Sequence, residues 1–363
     1  YMVVRFIFIP LLFSLGTYLA CSLIISSFSF IGIWCIFRVF SKRFPKYEYY
    51  IAISVLFIPS VFFWGSGILK DSIMMGCLGI LFYTFDICFI QKRINIPLIL
   101  ISIFLSYIVF TVKAYILLSF VPFLILWQVV NVLNGLKSQK ARIILTPIIL
   151  LVGIGGSVGL LNALGASSDR FSTDKLLETA VVVKEDLNRS EYYADGRGSS
   201  YDLGEFDGSP VRALQLMIPA INVTLFRPYL WEARNPFMLI SAIESFVLFL
   251  IFADALRRAG SNLLSIIRSN PLLIFSLGFS LAFSFMVGLS TGNFGNLVRY
   301  KIPAVPFFVA SVFIVRGLAM ERNEAQQARK AQMRERDLEM LRRRSAEAQR
   351  GLTDAPESGL HPA

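Results

Sequence analysis

The stretch "SVLFIPSVFFWGSGILKDSIMMGCLGILFY", residues 54–83, determines the class of fold. It contains two apolar runs without strict alternation, separated by a short turn that ends at Lys70 and Asp71. Alternation is typical of barrel strands, whereas continuous apolar runs of about 18 residues are typical of membrane-spanning helices. The stretch therefore predicts the end of one span, a turn at the membrane boundary and the start of the next span.

The rest of the chain repeats this pattern. Of its 363 residues, 55% are hydrophobic and 16% are charged, whereas a soluble domain has about 25% charged residues. We predict an all-α fold, a polytopic transmembrane helix bundle of about nine spans, each long enough for the apolar core of a bilayer. The candidate spans are 15–38, 49–66, 71–90, 95–112, 114–132, 143–164, 236–256, 270–290 and 302–318.

Basic residues in the short loops predict the orientation of the chain. Lys and Arg cluster at 38–46, 92–93, 137–142 and 257–258, and a basic tail begins at Arg316. With nine spans, all of these clusters fall on one side of the membrane. Because cytoplasmic loops have an excess of Lys and Arg, we predict that this side is the cytoplasm.

The predicted topology divides the chain into four parts. Residues 213–231 are apolar enough for a tenth span, but a crossing there would place Arg257 and Arg258 outside. We therefore predict an interfacial or re-entrant helix on the outer face for this segment. The parts are 1–164 with transmembrane helices 1–6, 165–235 as an extracytoplasmic loop with that helix, 236–318 with transmembrane helices 7–9, and 319–363 as a charged cytoplasmic tail.

Composition excludes several classes of function. The single histidine, His361, lies in the tail, so histidine acid–base chemistry is excluded from the membrane body. The net charge of +11 follows from topology rather than from one basic patch, so we expect no nucleic-acid partner. The four cysteines lie in apolar runs without metal-site spacing, at Cys21, Cys35, Cys77 and Cys88.

The start at Tyr1 leads us to expect a fragment that lacks one or more N-terminal helices.

Charged residues at the predicted outer boundary form the candidate site. Charges in the apolar zone cost about 2.5–3.5 kcal/mol each on insertion scales, so they usually face a cavity or a partner. We expect them to converge on one outer cleft, where arginine and lysine would hold a phosphate group. The candidate phosphate-binding residues are Lys70, Lys113, Arg227, Arg234, Arg299, Tyr300 and Lys301, and the candidate catalytic carboxylates are Asp71, Glu232 and Glu244.

Each of these groups also has a structural alternative. Lys113 alone could extend to the lipid headgroups, and Lys70 with Asp71 could simply begin a helix. The segment around Glu232 could be an ion-paired cap formed with Arg227 and Arg234. Further along the chain, Asp86 and Asp254 lie near the predicted cytoplasmic ends, where we expect them to be solvated or paired.

Three motifs together resemble the GT-C-type bacterial integral-membrane glycosyltransferases. In the opening stretch, a span ends in a proline and an aromatic and serine-containing turn, and Asp71 opens the next helix. The turn "FTVKAY" resembles the small-Thr-Lys turn of that superfamily, with Thr111 and Lys113. The stretch "VRYKIPAVPFF" resembles its Arg-Tyr-x-x-Pro-x-x-Pro entry to a late span, with the matching residues Arg299, Tyr300, Pro303 and Pro306.

The resemblance implies an enzyme of the bacterial inner membrane with its active site on the extracytoplasmic face. The implied donor is a polyprenyl-phosphate-linked sugar, and the implied acceptor is a lipid, a glycan or a protein. In that superfamily the carboxylate thought to act as base lies in the first outer loop, which would precede Tyr1. Residues 165–260 match no pattern of the superfamily.

Glycosyl transfer needs a carboxylate that deprotonates the acceptor hydroxyl, and cations or a metal that hold the leaving phosphate. The candidate residues supply both, and a divalent metal is possible. Two other functions stay open. An O-antigen or exopolysaccharide polymerase would need similar groups at the same face, and a transporter of lipid-linked glycans would need no chemistry, although the chain shows no internal repeat of the kind many transporters have.

Overall fold

A computed structural model of the chain describes residues 2–135, 201, 203 and 209–353. The regular elements in these residues are helices, which confirms the predicted all-α fold. The predicted span 143–164 and residues 165–200 of the predicted outer loop lie outside the described residues. The helices are α1 (Met2–Phe13), α2 (Tyr18–Arg43), α3 (Glu48–Leu56), α4 (Pro59–Gly65), α5 (Lys70–Phe85), α6 (Ile96–Gly135), α7 (Pro210–Gln215), α8 (Met217–Phe226), α9 (Pro236–Ala259), α10 (Leu263–Ser269), α11 (Pro271–Ser290), α12 (Phe294–Tyr300) and α13 (Val305–Thr353).

The helices establish a multi-pass membrane protein by their length and hydropathy. Within the described residues, five helices are long and apolar enough to cross a membrane, or up to seven if two bent pairs each form one span. The bent pairs are α3 with α4 and α12 with α13, at angles of 51° and 70°. The predicted number of nine spans is thus not reached in the part of the chain that is described.

Helices α2 and α5 pack in the same direction and almost touch through their backbones. Phe28 lies beside Gly76 at one end of this contact, and Arg43 pairs with Asp86 at the other. A Cβ atom on Gly79 would lie 1.9 Å from the carbonyl oxygen of Gly32, so both positions need glycine. Close backbone approach through small residues is a common way to join helices in membranes. We call the two ends of the bundle the Asp71 end and the Arg43 end.

Helix α6 is bent at Lys113, which has non-helical backbone angles (φ −148°, ψ 72°). After this bend the chain runs along α5, because Lys113 pairs with Asp71 and Trp127 packs on Phe82. A straight α6 would put Ile96 roughly 45 Å from the end of α5, but the connecting residues reach at most about 40 Å even when extended. Helix α6 is therefore strongly bent at Lys113, where the sequence predicted a turn.

Helix α8 enters the bundle from the Asp71 end and stops inside it. It packs along α11, where the Thr224 hydroxyl donates to the carbonyl of Ser284 at 2.8 Å, and it ends with Phe226 against Phe252 and Phe308. At ten residues it is about 15 Å long, which is half of a membrane core. The chain then returns to the start of α9. The interfacial or re-entrant position of residues 213–231 relative to the membrane stays a prediction.

The Arg43 end is held by ion pairs, as the sequence predicted for Asp86 and Asp254. The Asp86 carboxylate pairs with Arg43, and Asp254 accepts hydrogen bonds from three arginines, Arg257, Arg258 and Arg316. Helix α13 then continues from the bundle into the charged tail without a break at residue 318. The aromatic core between the two ends is formed by Phe40, Phe82, Phe120, Trp127, Phe275, Phe279 and Phe307.

The contact between Gly32 and Gly79 predicts a sharp response to a single methyl group. Replacing Gly79 with alanine would drive a Cβ into the backbone of α2, so we expect a loss of about 1–3 kcal/mol in the free energy of unfolding. Gly135→Ala is the matched control, because nothing lies within 4 Å of a Cβ built there. Thermal unfolding in detergent micelles measures the stability of both variants. Equal midpoints for Gly79→Ala and Gly135→Ala would contradict the close packing of α2 on α5.

Candidate functional site

Three predicted site residues meet at the Asp71 end. Asp71 is fully buried, and its two carboxylate oxygens accept from different cations, Oδ1 from Lys113 Nζ and Oδ2 from Arg299 Nε. These residues come from the first turn of α5, the bend of α6 and helix α12. The predicted convergence therefore occurs for this group. The Lys113 side chain is only 9% exposed, so the structure argues against the alternative in which Lys113 extends to the lipid headgroups.

Aromatic rings flank both cations of this cluster. The Lys113 ammonium lies 4.6 Å from the ring centre of Tyr300, and the Arg299 guanidinium lies 5.9 Å from that of Trp64. Such cation–π contacts favour a charge that is partly removed from water. The cluster has a net charge of +1, and Arg299 uses only Nε towards Asp71. Among the described residues its Nη groups have no hydrogen-bond partner, and the side chain is 27% exposed.

A cavity of about 540 Å³ lies beside this cluster, between α4, α9 and α12. Its wall contains Trp64, whose ring lies near the Arg299 guanidinium, and Val298, which precedes Arg299 in the sequence. The rim is formed by exposed aromatic side chains, among them Phe62 and Phe237. The other lining residues are Pro59, Ser60, Phe63, Pro228, Asn235, Met238, Ile240, Ser241, Glu244, Phe294 and Gly295.

A second cavity of about 320 Å³ continues from the first towards the Arg43 end. It lies between α3, α9 and α13 and is lined almost entirely by apolar side chains such as Phe57, Val247 and Phe313. The two cavities share Glu244, which is the one carboxylate that the described residues contribute to either lining. Together they form a crevice whose lining is apolar towards the Arg43 end and includes Trp64 and Val298, but not Arg299 itself, towards the Asp71 end.

Glu244 joins α9 to the first turn of α4. Its Oε2 accepts from the Ser60 backbone N–H at 2.7 Å, and its Oε1 accepts from the Ser60 hydroxyl at 2.7 Å. Pro59 explains why this turn lies there, because proline favours the first position of a helix and breaks the preceding one. The predicted carboxylate Glu244 is therefore fixed inside the membrane body at the wall of the cavity.

Arg227 and Glu232 form a separate ion pair in the loop between α8 and α9. Arg227 Nε lies 3.0 Å from Glu232 Oε2, which also accepts from the Tyr229 N–H at 2.8 Å. Burial alone would raise the pKa of Glu232, but the hydrogen bonds from Arg227 and the Tyr229 amide hold that pKa below its ordinary value. The structural alternative of an ion-paired cap thus describes this pair. Neither residue lines the crevice.

Tyr201 joins the predicted outer loop to this corner. Its N–H donates to the Gly292 carbonyl at 2.9 Å, its hydroxyl lies 2.8 Å from the Thr291 hydroxyl, and its ring lies under the Arg227 guanidinium. Burial raises the pKa of Tyr201 well above its ordinary value. No pattern in the sequence indicates this role. Ser60 and Trp64, in contrast, could have been predicted as site residues from the sequence, since they lie in the proline–aromatic turn on which the resemblance is based.

The remaining candidates take different positions. Lys301 is buried to 1% exposure between α12 and α13, and its ammonium donates to Ser245 instead of reaching the Arg299 cluster. Lys70 and Arg234 are exposed at the Asp71 end. Among the described residues, no group of three or more His, Cys, Asp or Glu side chains is arranged so that it could hold a metal ion.

Removing the Asp71 charge should be costly. In Asp71→Asn, the buried Lys113 and the partly exposed Arg299 lose the counter-charge that Asp71 supplies, and we expect a loss of about 3–5 kcal/mol in the free energy of unfolding. Glu232→Gln breaks a more exposed pair and should cost clearly less. Thermal unfolding of both variants tests this order. An Asp71→Asn protein as stable as the wild type would show that the two cations do not depend on Asp71.

The lowered pKa of Glu232 predicts the pH range in which its ion pair stabilises the protein. A carboxyl with a lowered folded-state pKa contributes stability above its ordinary pKa and loses it as the pH falls through the lowered value. The wild type should therefore exceed Glu232→Gln in stability at pH 7, and the difference should vanish in acid. Unfolding midpoints of both proteins between pH 7 and about pH 3 measure the difference, and a gap that widens in acid would contradict the pairing.

Comparisons of the chain with protein-family models, with curated proteins and with solved structures found no match. The resemblance to GT-C-type glycosyltransferases and the orientation across the membrane thus stay predictions. By helix length and hydropathy, the chain is an all-α, multi-pass membrane protein.

Proposed function

We propose that the chain is a membrane glycosyltransferase that takes a sugar from a polyprenyl-phosphate donor and transfers it to a lipid, glycan or protein acceptor. The reaction would take place at the Asp71 end, which the distribution of basic loops predicts to be extracytoplasmic. The observation that supports this proposal most strongly is the apolar crevice, whose lining includes Trp64, and the Arg299 guanidinium lies 5.9 Å from the centre of the Trp64 ring.

The crevice fits an amphiphile with a long apolar chain. The second cavity, which we call the lower cavity, is lined by aliphatic and aromatic side chains. The exposed aromatic rim of the first cavity, the upper cavity, would face lipid in a membrane. A polyprenyl chain could enter sideways between α4 and α9 without leaving an apolar environment. Binding would be favoured by burial of the chain at about 25 cal/mol for each Å² removed from water.

The phosphate of the donor would meet Arg299 at the upper end of the crevice. An arginine offers two parallel N–H donors that match a phosphate, and the Nη groups of Arg299 are not used by Asp71. Lys113 adds a second positive charge behind it, held by Asp71 and Tyr300. The same cations would stabilise the charge on the leaving phosphate as the sugar departs.

The three predicted carboxylates are suited to different roles. Asp71 and Glu232 are each held in ion pairs with the predicted phosphate-binding cations, whereas Glu244 lines both cavities. We therefore propose Glu244 as the base. The acceptor oxygen would form a bond to the anomeric carbon and the bond from that carbon to the phosphate oxygen would break. The electron pair would stay on the phosphate, and the acceptor proton would pass to the Glu244 carboxylate.

Binding tests the donor site directly. We expect Arg299→Ala to weaken the binding of polyprenyl phosphate at least tenfold, a change of about 1.4 kcal/mol, because the phosphate loses its bidentate partner. Native mass spectrometry of the purified protein with polyprenyl phosphate measures the effect. Arg329→Ala, on the exposed tail of α13, is the charge-matched control and should bind like the wild type. Equal affinities for both variants would contradict a phosphate at Arg299.

Transfer is tested with labelled polyprenyl-phosphate sugars in proteoliposomes. The wild type should release polyprenyl phosphate and form a glycosylated acceptor, and Glu244→Gln should bind the donor but turn it over at least a hundredfold more slowly. Tight donor binding by the wild type without any sugar transfer would contradict the transferase. That outcome would favour transport of the lipid-linked glycan instead.

A further inference from the structure

We propose that the tail of α13 pairs with the same segment of a second copy of this chain, as a parallel two-stranded coiled coil. The tail is defined here as residues 324–343, in which every side chain of the helix is exposed. This proposal concerns assembly, and it holds or fails independently of the proposed function. The sequence predicted only a charged cytoplasmic segment here.

Helix α13 leaves the bundle in a fixed direction. Just before the tail, the Arg322 guanidinium donates to the Ser265 hydroxyl at 3.0 Å. The Asn323 side chain donates to the Arg258 carbonyl at 3.0 Å. The tail then continues for about 30 Å as part of the same helix. Because helices gain most of their stability in proteins from packing one face, a helix of this length outside the bundle predicts a partner.

The tail has an apolar stripe with heptad spacing, where a heptad is written a to g. Leu338 and Leu341, which are 56% and 61% exposed, fall at positions a and d, and Ala331 falls at the preceding a. Residues at a and d form the surface that two supercoiled helices bury between them. Arg334 falls at the d position between Ala331 and Leu338. A charged residue there lowers the stability of the pair, as polar core residues do while they fix the register.

The charges beside this stripe match between two parallel helices. In this register Lys330 and Asp337 fall at g, whereas Glu335 and Arg342 fall at e. In a parallel coiled coil a g residue faces the e residue of the other helix five positions further along. Lys330 would thus face Glu335 of the second copy, and Asp337 would face its Arg342. Within one helix, neighbours are three or four positions apart, so a spacing of five favours pairing between helices.

The membrane supplies the orientation that this charge pattern requires. Two copies that insert in the same direction have their tails on the same side of the bilayer, and both tails point away from it. The tails are therefore parallel. Confinement to one membrane also raises the effective concentration of each tail near the other. A short coiled coil with a modest apolar core can form under these conditions, although it would be weak between free peptides.

Disulfide cross-linking of the purified protein in proteoliposomes tests the pairing. Under mild oxidation, Leu338→Cys should give roughly fivefold more covalent dimer than Met340→Cys, because a disulfide requires Cβ atoms about 3.5–4.5 Å apart. Met340 is the matched control, since it is 55% exposed but falls at position c, which is turned away from the other helix. The wild type gives the background from the four native cysteines. Equal yields for the two variants, or no dimer from either, would overturn the proposal.

Charge reversal tests the register in the Leu338→Cys background. Glu335→Lys places a like charge opposite Lys330, so the dimer yield should fall several-fold. Adding Lys330→Glu makes the pair complementary again, and the yield should return to its original level. A yield that stays low in the combined variant would overturn the register. A yield that Glu335→Lys leaves unchanged, together with tighter binding to vesicles of anionic phospholipid, would overturn the coiled coil in favour of a lipid-binding tail. Because the tail lies outside the bundle, all variants should keep the unfolding midpoint of the wild type.

Discussion

Asp71 holds a negative charge at a point from which water is excluded, and it is stable there because Lys113 and Arg299 each bind one of its oxygens. Three separate parts of the chain supply these groups, and each of them is irregular at that point. Helix α5 begins there, α6 bends there, and α12 leads into the turn before α13. An uncompensated charge among these helices would cost several kcal/mol, so the three segments are constrained to meet.

This constraint also places the crevice. The short helix α12 stays at the Asp71 end because Arg299 is bound there, and its residues Phe294 and Val298 form one wall of the upper cavity. The opposite wall is α4, which is set at 51° to α3 and held by Glu244. Polar contacts inside the bundle thus position helices whose other surfaces remain apolar. The result is an apolar cavity with an exposed aromatic rim, with Glu244 in its wall and with Trp64, the neighbour of Arg299, at one end.

The two positively charged residues in the stretch "RYK" have different environments, although only one residue separates them. Arg299 is partly exposed, and its Nη groups have no hydrogen-bond partner in the described part of the chain, while Lys301 is buried under α9. The 70° bend between α12 and α13 separates them. Under the proposed function, Arg299 would contact the donor phosphate, whereas Lys301 is bound to Ser245 inside the bundle.

The sequence by itself determined the helical class, the turn at Lys113 and the place of Asp86 and Asp254 near the ends of apolar runs. Each of these follows from local composition, because long apolar runs must form helices in lipid and charges concentrate where the runs end. It did not determine which charges meet. Arg299 lies 228 positions from Asp71, and Ser60 lies 184 positions from Glu244. Only the packing of whole helices, fixed by glycine contacts and the aromatic core, brings such distant side chains together and leaves the crevice between them.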